Sequence, residues 1–205
     1  METSQAFRYA LTCPITISGW SQMKTADADI LILPGLFGGG AEYWYTRWAD
    51  KLATARRVEQ DNWDNPQCSA WVERLLENVE ATTRPVVLVG HSLGALTIAH
   101  AAPRLTESGV VAAFMVALPD LETFSSAIPE GESFLPLPRD PLPFPSFVIA
   151  SRTDPYAGYD FADDMAATWG SAIFDAGDAG HINADSGHGP WPEGLMMFAR
   201  LMKRL

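Results

Sequence analysis

The chain has 205 residues, of which 47% are hydrophobic and 19% charged, a composition typical of one globular domain with a substantial core. Its formal net charge of −11 argues against non-specific nucleic-acid binding, because the main driving force for such binding is the neutralisation of phosphates by lysine and arginine. The two cysteines match neither a disulfide framework nor a metal site, and no segment has the pattern of a signal peptide or a membrane span. We therefore expect a cytoplasmic protein that contacts neither nucleic acid nor membrane and needs no metal and no cofactor.

Short apolar runs alternate with amphipathic segments, which is the pattern of a parallel sheet with helices on its faces. Strands are predicted at 29–35, 56–63 (a weak strand near an edge), 86–89, 110–120, 145–156 and 171–177. Helices are predicted at 42–52, 68–79, 93–102 and 192–204. The expected fold class is α/β, with a mostly parallel sheet.

Two segments depart from this alternation. Residues 1–22 lack a clear period, and the run that begins at Met23 would make a natural domain start. We therefore divide the chain into 1–22, an N-terminal extension, an extra edge element or the product of a misassigned start codon, and a domain at 23–205. Five prolines alternate with other residues within 128–146, which forces a stiff, extended path. This stretch is either a rigid pocket wall or a connector that crosses the sheet edge.

A serine lies between two glycines directly after the apolar run 86–89, in the sequence Gly90-His91-Ser92-Leu93-Gly94. Strand, G-x-S-x-G and helix in succession form a nucleophile elbow, in which the serine occupies a sharp and strained turn. The flanking glycines lack the Cβ atoms that would clash there. This context predicts that Ser92 is a catalytic nucleophile.

Four histidines could supply the base that a serine hydroxyl needs at neutral pH. In α/β-hydrolases the acid and then the histidine follow the serine along the chain, which leaves His181 and His188. We expect His91 to point away from the serine hydroxyl, and His100 lies two turns along the following helix. His181 follows the last strand, where glycines allow a tight loop back over the sheet, so His181 is the predicted base. His188 is interpreted as a loop or helix-entry residue packed near Trp191.

The acid that orients the histidine is predicted to be Asp154, a few residues beyond its strand and held out of helical geometry by Pro155. Asp120, at the end of the preceding strand, is the main competitor. Asp178 lies too close to the histidine in sequence for an easy reach. Three further aspartates are interpreted as the solvated side of a helix: Asp160, Asp163 and Asp164.

Backbone donors for a developing oxyanion are expected after two strands. One is the N–H of Leu93, directly after the serine, and the other is the N–H of Leu36, with Phe37 as the next choice. The glycine run beside them, "GLFGGG", is not a phosphate loop, since no Lys-Ser or Lys-Thr follows it. The side chains predicted to line an apolar substrate pocket are Phe37, Trp44, Phe134 and Leu137.

Four segments, "LILPGLFGG", "GHSLG", "PLPFPSFVIASRTDPY" and "GHINADSGHGPWPEG", together resemble the small serine hydrolases that include retinoblastoma-binding protein nine. The resemblance runs from about Met23 to the C-terminus. It implies a minimal α/β-hydrolase without a separate cap domain and a triad of Ser92, Asp154 and His181. The N-terminal segment and the bulky Phe37 depart from the family pattern.

Two functions from different classes follow from these observations. The first is a serine hydrolase that cleaves a small-molecule carboxylic ester, amide or aminoacyl substrate through an acyl-enzyme. The second is a catalytically silent interaction module that keeps the fold and binds a protein partner, because fold alone does not determine function. Dehalogenase chemistry is disfavoured, since the elbow residue is serine rather than aspartate.

Overall fold

One sheet of six parallel strands forms the centre of the computed structural model, which describes residues 23–205. The predicted N-terminal segment 1–22 lies outside the described residues. The strand order is β2-β1-β3-β4-β5-β6. The strand bounds are β1 Asp29–Leu33, β2 Ala55–Arg57, β3 Val86–His91, β4 Val110–Val116, β5 Ser146–Ala150 and β6 Ala172–Asp175.

Five α-helices cover the two faces of this sheet. Their bounds are α1 Trp44–Lys51, α2 Cys68–Glu80, α3 Leu93–Ala101, α4 Tyr159–Trp169 and α5 Pro192–Met202. Helices α1 and α5 pack on one face, and α2, α3 and α4 pack on the other. Within residues 23–205 there is no cap domain, and no helix is long and apolar enough to cross a bilayer.

The central strands are buried on both faces, which explains their nearly continuous apolar sequence. In β3, Val86 and Leu88 face the α2–α3–α4 layer, whereas Val87 and Val89 face the α1–α5 layer. The sheet therefore has two separate hydrophobic cores, and the two-residue period of the strand assigns each side chain to one of them.

The predicted strands and helices are all present, with differences at their ends. Strand β2 is only Ala55–Arg57, although the sequence predicts 56–63, because the chain leaves the sheet edge after pairing with β1. The proline-rich stretch contributes residues both to a cavity wall and to the hydrophobic core. Ile128, Pro129 and Glu130 line a cavity, while Phe134, Leu137 and Phe144 lie in the core beside α2, α3 and α4.

The sheet order reverses direction at β1, since the chain moves outward to β2 and then back to β3. In open α/β sheets, ligands bind beyond the carboxyl ends of the strands at such a switch point. The turns after β1 and β3 meet there. A Cβ on Gly35 would lie 2.8 Å from Cβ of Ser92, so only glycine permits this approach.

Glycines also let α3 pack onto the strand ends without intervening side chains. A Cβ on Gly90 would lie 2.6 Å from Cα of Ala95, and one on Gly94 would overlap the carbonyl oxygen of Leu33 and lie 2.5 Å from that of Pro34. Because these obstacles are backbone atoms, they cannot be relieved by a change of rotamer.

We expect Gly94→Ala to lower the free energy of unfolding by about 3 kcal/mol or more, at or beyond the upper end of ordinary overpacking. Urea denaturation measures this loss. Gly109→Ala is the matched control, because the nearest atom to its new Cβ is a carbonyl oxygen at 3.5 Å. Equal stability of the two variants would contradict the close packing of α3 on β1.

Candidate active site

Ser92 has a strained backbone at the junction of β3 and α3. Its φ of 54° and ψ of −123° lie outside the usual regions for a residue other than glycine. Its N–H donates to the carbonyl of Val116 at the end of β4, 2.9 Å away, which fixes the turn against the neighbouring strand. Ser92 is only 5% exposed, although it lines a cavity.

His181 and Asp154 form a hydrogen-bonded pair beyond the ends of β5 and β6. Nδ1 of His181 lies 3.0 and 2.9 Å from the two carboxylate oxygens of Asp154. A carboxylate accepts, so Nδ1 carries the proton and Nε2 is left to accept one. The Asp154 carboxylate also accepts the N–H of Tyr156 at 2.9 Å, which holds it in place. The two side chains are 9% and 3% exposed, so water screens their interaction little.

One cavity of about 350 Å³ is lined by both Ser92 and His181. Among the described residues, no hydrogen bond joins the Ser92 hydroxyl to the His181 ring. Contacts of this kind are often long without substrate and tighten in the reacting complex. The structure thus joins His181 directly to Asp154 and brings Ser92 to the same cavity.

The competing histidines and aspartate lie in other environments. His100 forms a hydrogen bond with the carbonyl of Phe134, 2.9 Å from its Nε2, and does not line the cavity. His188 contacts the hydroxyl of Ser186 and packs edge-on against Trp191. The side chain of Asp120 accepts the N–H of Thr123 in a local turn.

The two candidate donors in the turn after β1 are the N–H groups of Leu36 and Phe37, and they differ in whether another group already accepts from them. The N–H of Phe37 donates to the carbonyl of Trp63, 3.1 Å away, and is therefore occupied. Within the described residues, the N–H groups of Leu36 and Leu93 donate to no other group of the chain. Leu36 also lines the cavity. The geometry favours Leu36 over Phe37 as the second donor.

Arg57 holds the glycine turn that follows Leu36. Its two terminal nitrogens each lie 2.9 Å from a backbone carbonyl, one of Gly38 and one of Gly39. Its guanidinium also lies over the ring of Trp63, whose carbonyl accepts from Phe37. Strand β2 therefore contributes to the site by fixing this turn.

Of the side chains predicted to line the pocket, only Phe37 does so, and it is 63% exposed at a φ of 63°. Trp44, Phe134 and Leu137 lie in the core instead, because their helical and loop positions point toward the sheet. The apolar character of a side chain therefore did not distinguish a residue of the cavity wall from a residue of the hydrophobic core. Ile128, Pro129 and Glu130 line the cavity from within the proline-rich stretch, which had a pocket wall as one of its two interpretations. Further side chains that line the cavity without having been predicted are Tyr43, Tyr45, His91, Ala127, Tyr156, Asn183 and Asp185.

His91 is the main feature that the sequence interpretation missed. Its Nε2 donates to the carbonyl of His181 over 2.9 Å, and the two rings pack edge-on with centroids 4.9 Å apart. The side chain is 4% exposed, and burial, followed by the charge of nearby His181, lowers the pKa of His91 to about 3. His91 is therefore neutral. Its place in G-x-S-x-G offered no signal, because contact with His181 depends on the loop after β6.

Potential metal ligands do not cluster in the described part of the chain. Residues 23–205 contain no group of three or more His, Cys, Asp or Glu side chains placed to hold a metal ion.

The depressed pKa of His91 predicts a pH-dependent contribution to stability. The unfolded chain binds a proton below about pH 6.5, whereas the folded chain does so only near pH 3, so this contribution is lost as pH falls through that window. His91→Gln removes the titration. The difference in unfolding free energy between wild type and variant should therefore shrink by about 2 kcal/mol from pH 7 to pH 5. Urea denaturation at both pH values measures it, and a constant difference would contradict the burial of a neutral imidazole.

Comparison with known families and structures places these features in context. The model of the serine hydrolase family matches residues 30–200, which includes Ser92, Asp154 and His181. Comparison with curated proteins gives no match.

Solved structures share the fold over most of the chain. A protein from Pectobacterium atrosepticum described as a YdeN-like hydrolase is 30% identical, with a TM-score of 0.77, over 87% of this chain and 92% of that one. The ydeN gene product of Bacillus subtilis is 18% identical, with a TM-score of 0.68, over 85% and 98%. YbtT, a type II thioesterase of the yersiniabactin pathway, is 16% identical, with a TM-score of 0.61, over 89% and 97%. The chain belongs to the serine hydrolase family and has the α/β-hydrolase fold.

Proposed function

We propose that the protein hydrolyses carboxylic esters through an acyl-enzyme on Ser92, with His181 as the general base and Asp154 as its orienting acid. Amides and aminoacyl compounds are alternative substrates of the same chemistry. The observation that carries the proposal is the pairing of His181 Nδ1 with Asp154 at the wall of the cavity that Ser92 also lines. With its Nδ1–H donated in a hydrogen bond to the Asp154 carboxylate, the imidazole presents Nε2 as a proton acceptor.

In the acylation step, Ser92 Oγ forms a bond to the substrate carbonyl carbon while its proton passes to His181 Nε2. The N–H groups of Leu36 and Leu93 donate hydrogen bonds to the carbonyl oxygen and stabilise the negative charge that develops on it. The tetrahedral intermediate then collapses, the bond to the alcohol breaks, and the His181 proton leaves with that alcohol. Asp154 stabilises the imidazolium that exists between these two transfers.

In the deacylation step, water enters the site vacated by the alcohol. His181 removes a proton from this water as its oxygen attacks the acyl carbon. Collapse of the second intermediate returns a proton to Ser92 Oγ and releases the carboxylic acid. Atoms and charge balance, with one water consumed per ester hydrolysed.

The strained elbow favours this function over a silent interaction module. A φ of 54° at Ser92 is unfavourable, and binding of a protein partner gives no reason to retain it. Thioesters belong in the substrate panel beside oxygen esters, since a structural neighbour is described as a thioesterase.

We expect a fluorophosphonate probe to label the wild-type protein and to leave Ser92→Ala unlabelled, because only an activated serine attacks phosphorus at neutral pH. In-gel fluorescence and mass spectrometry of the labelled peptide measure this. The same pair of proteins is then compared on 4-nitrophenyl acetate, 4-nitrophenyl butyrate and an acetyl thioester. Labelling of both proteins, or of neither, would overturn the proposed function.

Asp154→Asn should lower kcat by about 10⁴-fold, because an amide neither stabilises the imidazolium nor enforces the reactive tautomer. Asp120→Asn is the matched control, since Asp120 is also buried beyond a strand end, but its carboxylate accepts the N–H of Thr123 rather than a histidine N–H. Its kcat should stay within about threefold of wild type, as for a substitution outside the reacting groups. A larger loss in Asp120→Asn than in Asp154→Asn would reverse the assignment of the acid.

A further inference from the structure

The loop that carries His181 is held in an unfavourable conformation. Ile182 has a φ of 47°, in the left-handed region, where a β-branched side chain is a genuine outlier. Gly180, two residues earlier, has a φ of 55°, which glycine adopts without strain, so the strain lies at Ile182. Such strain persists only where the surrounding contacts determine the backbone strongly. The contacts around 179–183 therefore indicate what places the imidazole.

The first half of this loop is tied to the segment after β5. The N–H of Ala179 donates to the hydroxyl of Ser151 over 2.9 Å, and the N–H of Gly180 donates to the hydroxyl of Thr153 over 3.1 Å. Asp154 follows immediately in the same segment. These bonds set the spacing between the histidine loop and its acid.

The second half is held by two side chains from other parts of the fold. His91, at the end of β3, donates Nε2–H to the carbonyl of His181, and Trp44, at the start of α1, donates Nε1–H to the carbonyl of Ile182. Both distances are 2.9 Å. The donors are 4% and 0% exposed, so water does not compete for these carbonyls.

The hydrogen bond from His91 to the His181 carbonyl leaves the other ring nitrogen of His91 buried and unpaired among the described residues, which is unfavourable. A carbonyl only accepts, so Nε2 of His91 carries its proton and Nδ1 has a lone pair. That Nδ1 is buried and has no hydrogen-bond partner among the described residues. An apolar side chain would avoid this unpaired atom, but it could not bind the His181 carbonyl.

We propose that His91 and Trp44 are positioning residues, which clamp the carbonyls of His181 and Ile182 and so hold the catalytic imidazole between Asp154 and Ser92. This inference rests on the proposed function for the role of His181. Asp154 fixes the rotation of the ring, whereas the two clamps fix the backbone from which the ring projects. Without a clamp, Ile182 can relax from its positive φ, and the imidazole moves with it.

The kinetic consequence is a loss in kcat with little change in KM. A displacement of about 1 Å in a catalytic group can cost ~10²-fold in rate. Trp44 gives the cleaner test, because it does not line the cavity and cannot contact substrate there. His91 does line the cavity, so its variants need a conservative partner that retains an N–H donor.

The experiment compares four variants on 4-nitrophenyl butyrate. Trp44→Phe and His91→Leu remove one donor each, and we expect kcat to fall about tenfold to hundredfold, with KM within about twofold. His91→Gln retains an amide donor and should recover most of the loss of His91→Leu. Trp48→Phe is the matched control, since Trp48 packs edge-on against Trp44 and, within residues 23–205, forms no hydrogen bond to the loop at 179–183. It should keep kcat within about twofold of wild type, as expected of a substitution that leaves the loop unchanged.

A second readout does not depend on turnover. In proton NMR spectra, the His181 Nδ1–H bound to Asp154 should give a low-field signal, identified by its absence in Asp154→Asn. We expect the signal to weaken or vanish in Trp44→Phe and His91→Leu and to remain in Trp48→Phe and His91→Gln. Thermal unfolding verifies that each variant is folded at the assay temperature.

Two results would overturn the positioning role. One is an unchanged low-field signal with unchanged kcat in Trp44→Phe and His91→Leu. The other is an equal loss of kcat in Trp48→Phe, which would make the effect a general one of core packing. If the wild-type protein shows no Ser92-dependent hydrolysis, the proposed function fails, whereas the NMR comparison still decides whether the clamps hold His181.

Discussion

The first turn of α3 packs directly on the backbone at the ends of β1 and β3, and this contact determines the rest of the site. Cβ atoms on Gly90 and Gly94 would collide with backbone atoms, so the helix approaches as closely as the chain allows. The turn between β3 and α3 then has no room for an ordinary conformation, and Ser92 takes a φ of 54°. The strain at the serine is thus stabilised by the burial of the two apolar layers around the sheet.

The parallel sheet brings the remaining groups to the same edge. The segments after β1, β3, β5 and β6 carry Leu36, Ser92, Asp154 and His181, respectively, because all of these strands end on one side. Hydrogen bonds between those segments then set the finer geometry. Arg57 fixes the glycine turn, Ser151 and Thr153 hold one half of the histidine loop, and side chains from β3 and α1 hold the other.

The strands, the helices and the pairing of His181 with Asp154 could be predicted from the sequence, because they depend on local patterns and chain order. Strand β3 shows this well, since its apolar run and the following glycines specify both a buried strand and a sharp turn. Roles set by contacts distant in sequence could not be predicted in this way. Trp44 looks like a pocket aromatic, yet its ring is fully buried and its N–H reaches Ile182, 138 positions away. The occupied N–H of Phe37 likewise depends on Trp63, and nothing local in "GLFGGG" indicates it.

Part of the cavity wall lies on loops outside the strands and the α-helices, including Phe37, Ile128–Glu130, Asn183 and Asp185, although His91 of β3 and Tyr45 of α1 also line it. Replacement of the exposed Phe37 side chain would alter the shape of the entrance without disturbing either hydrophobic layer. Loop positions at the entrance can therefore vary while the segments after β3 and β5 keep Ser92 and Asp154 in place. We expect a few loop substitutions at the entrance to change the substrate preference of such a scaffold without loss of its folded structure.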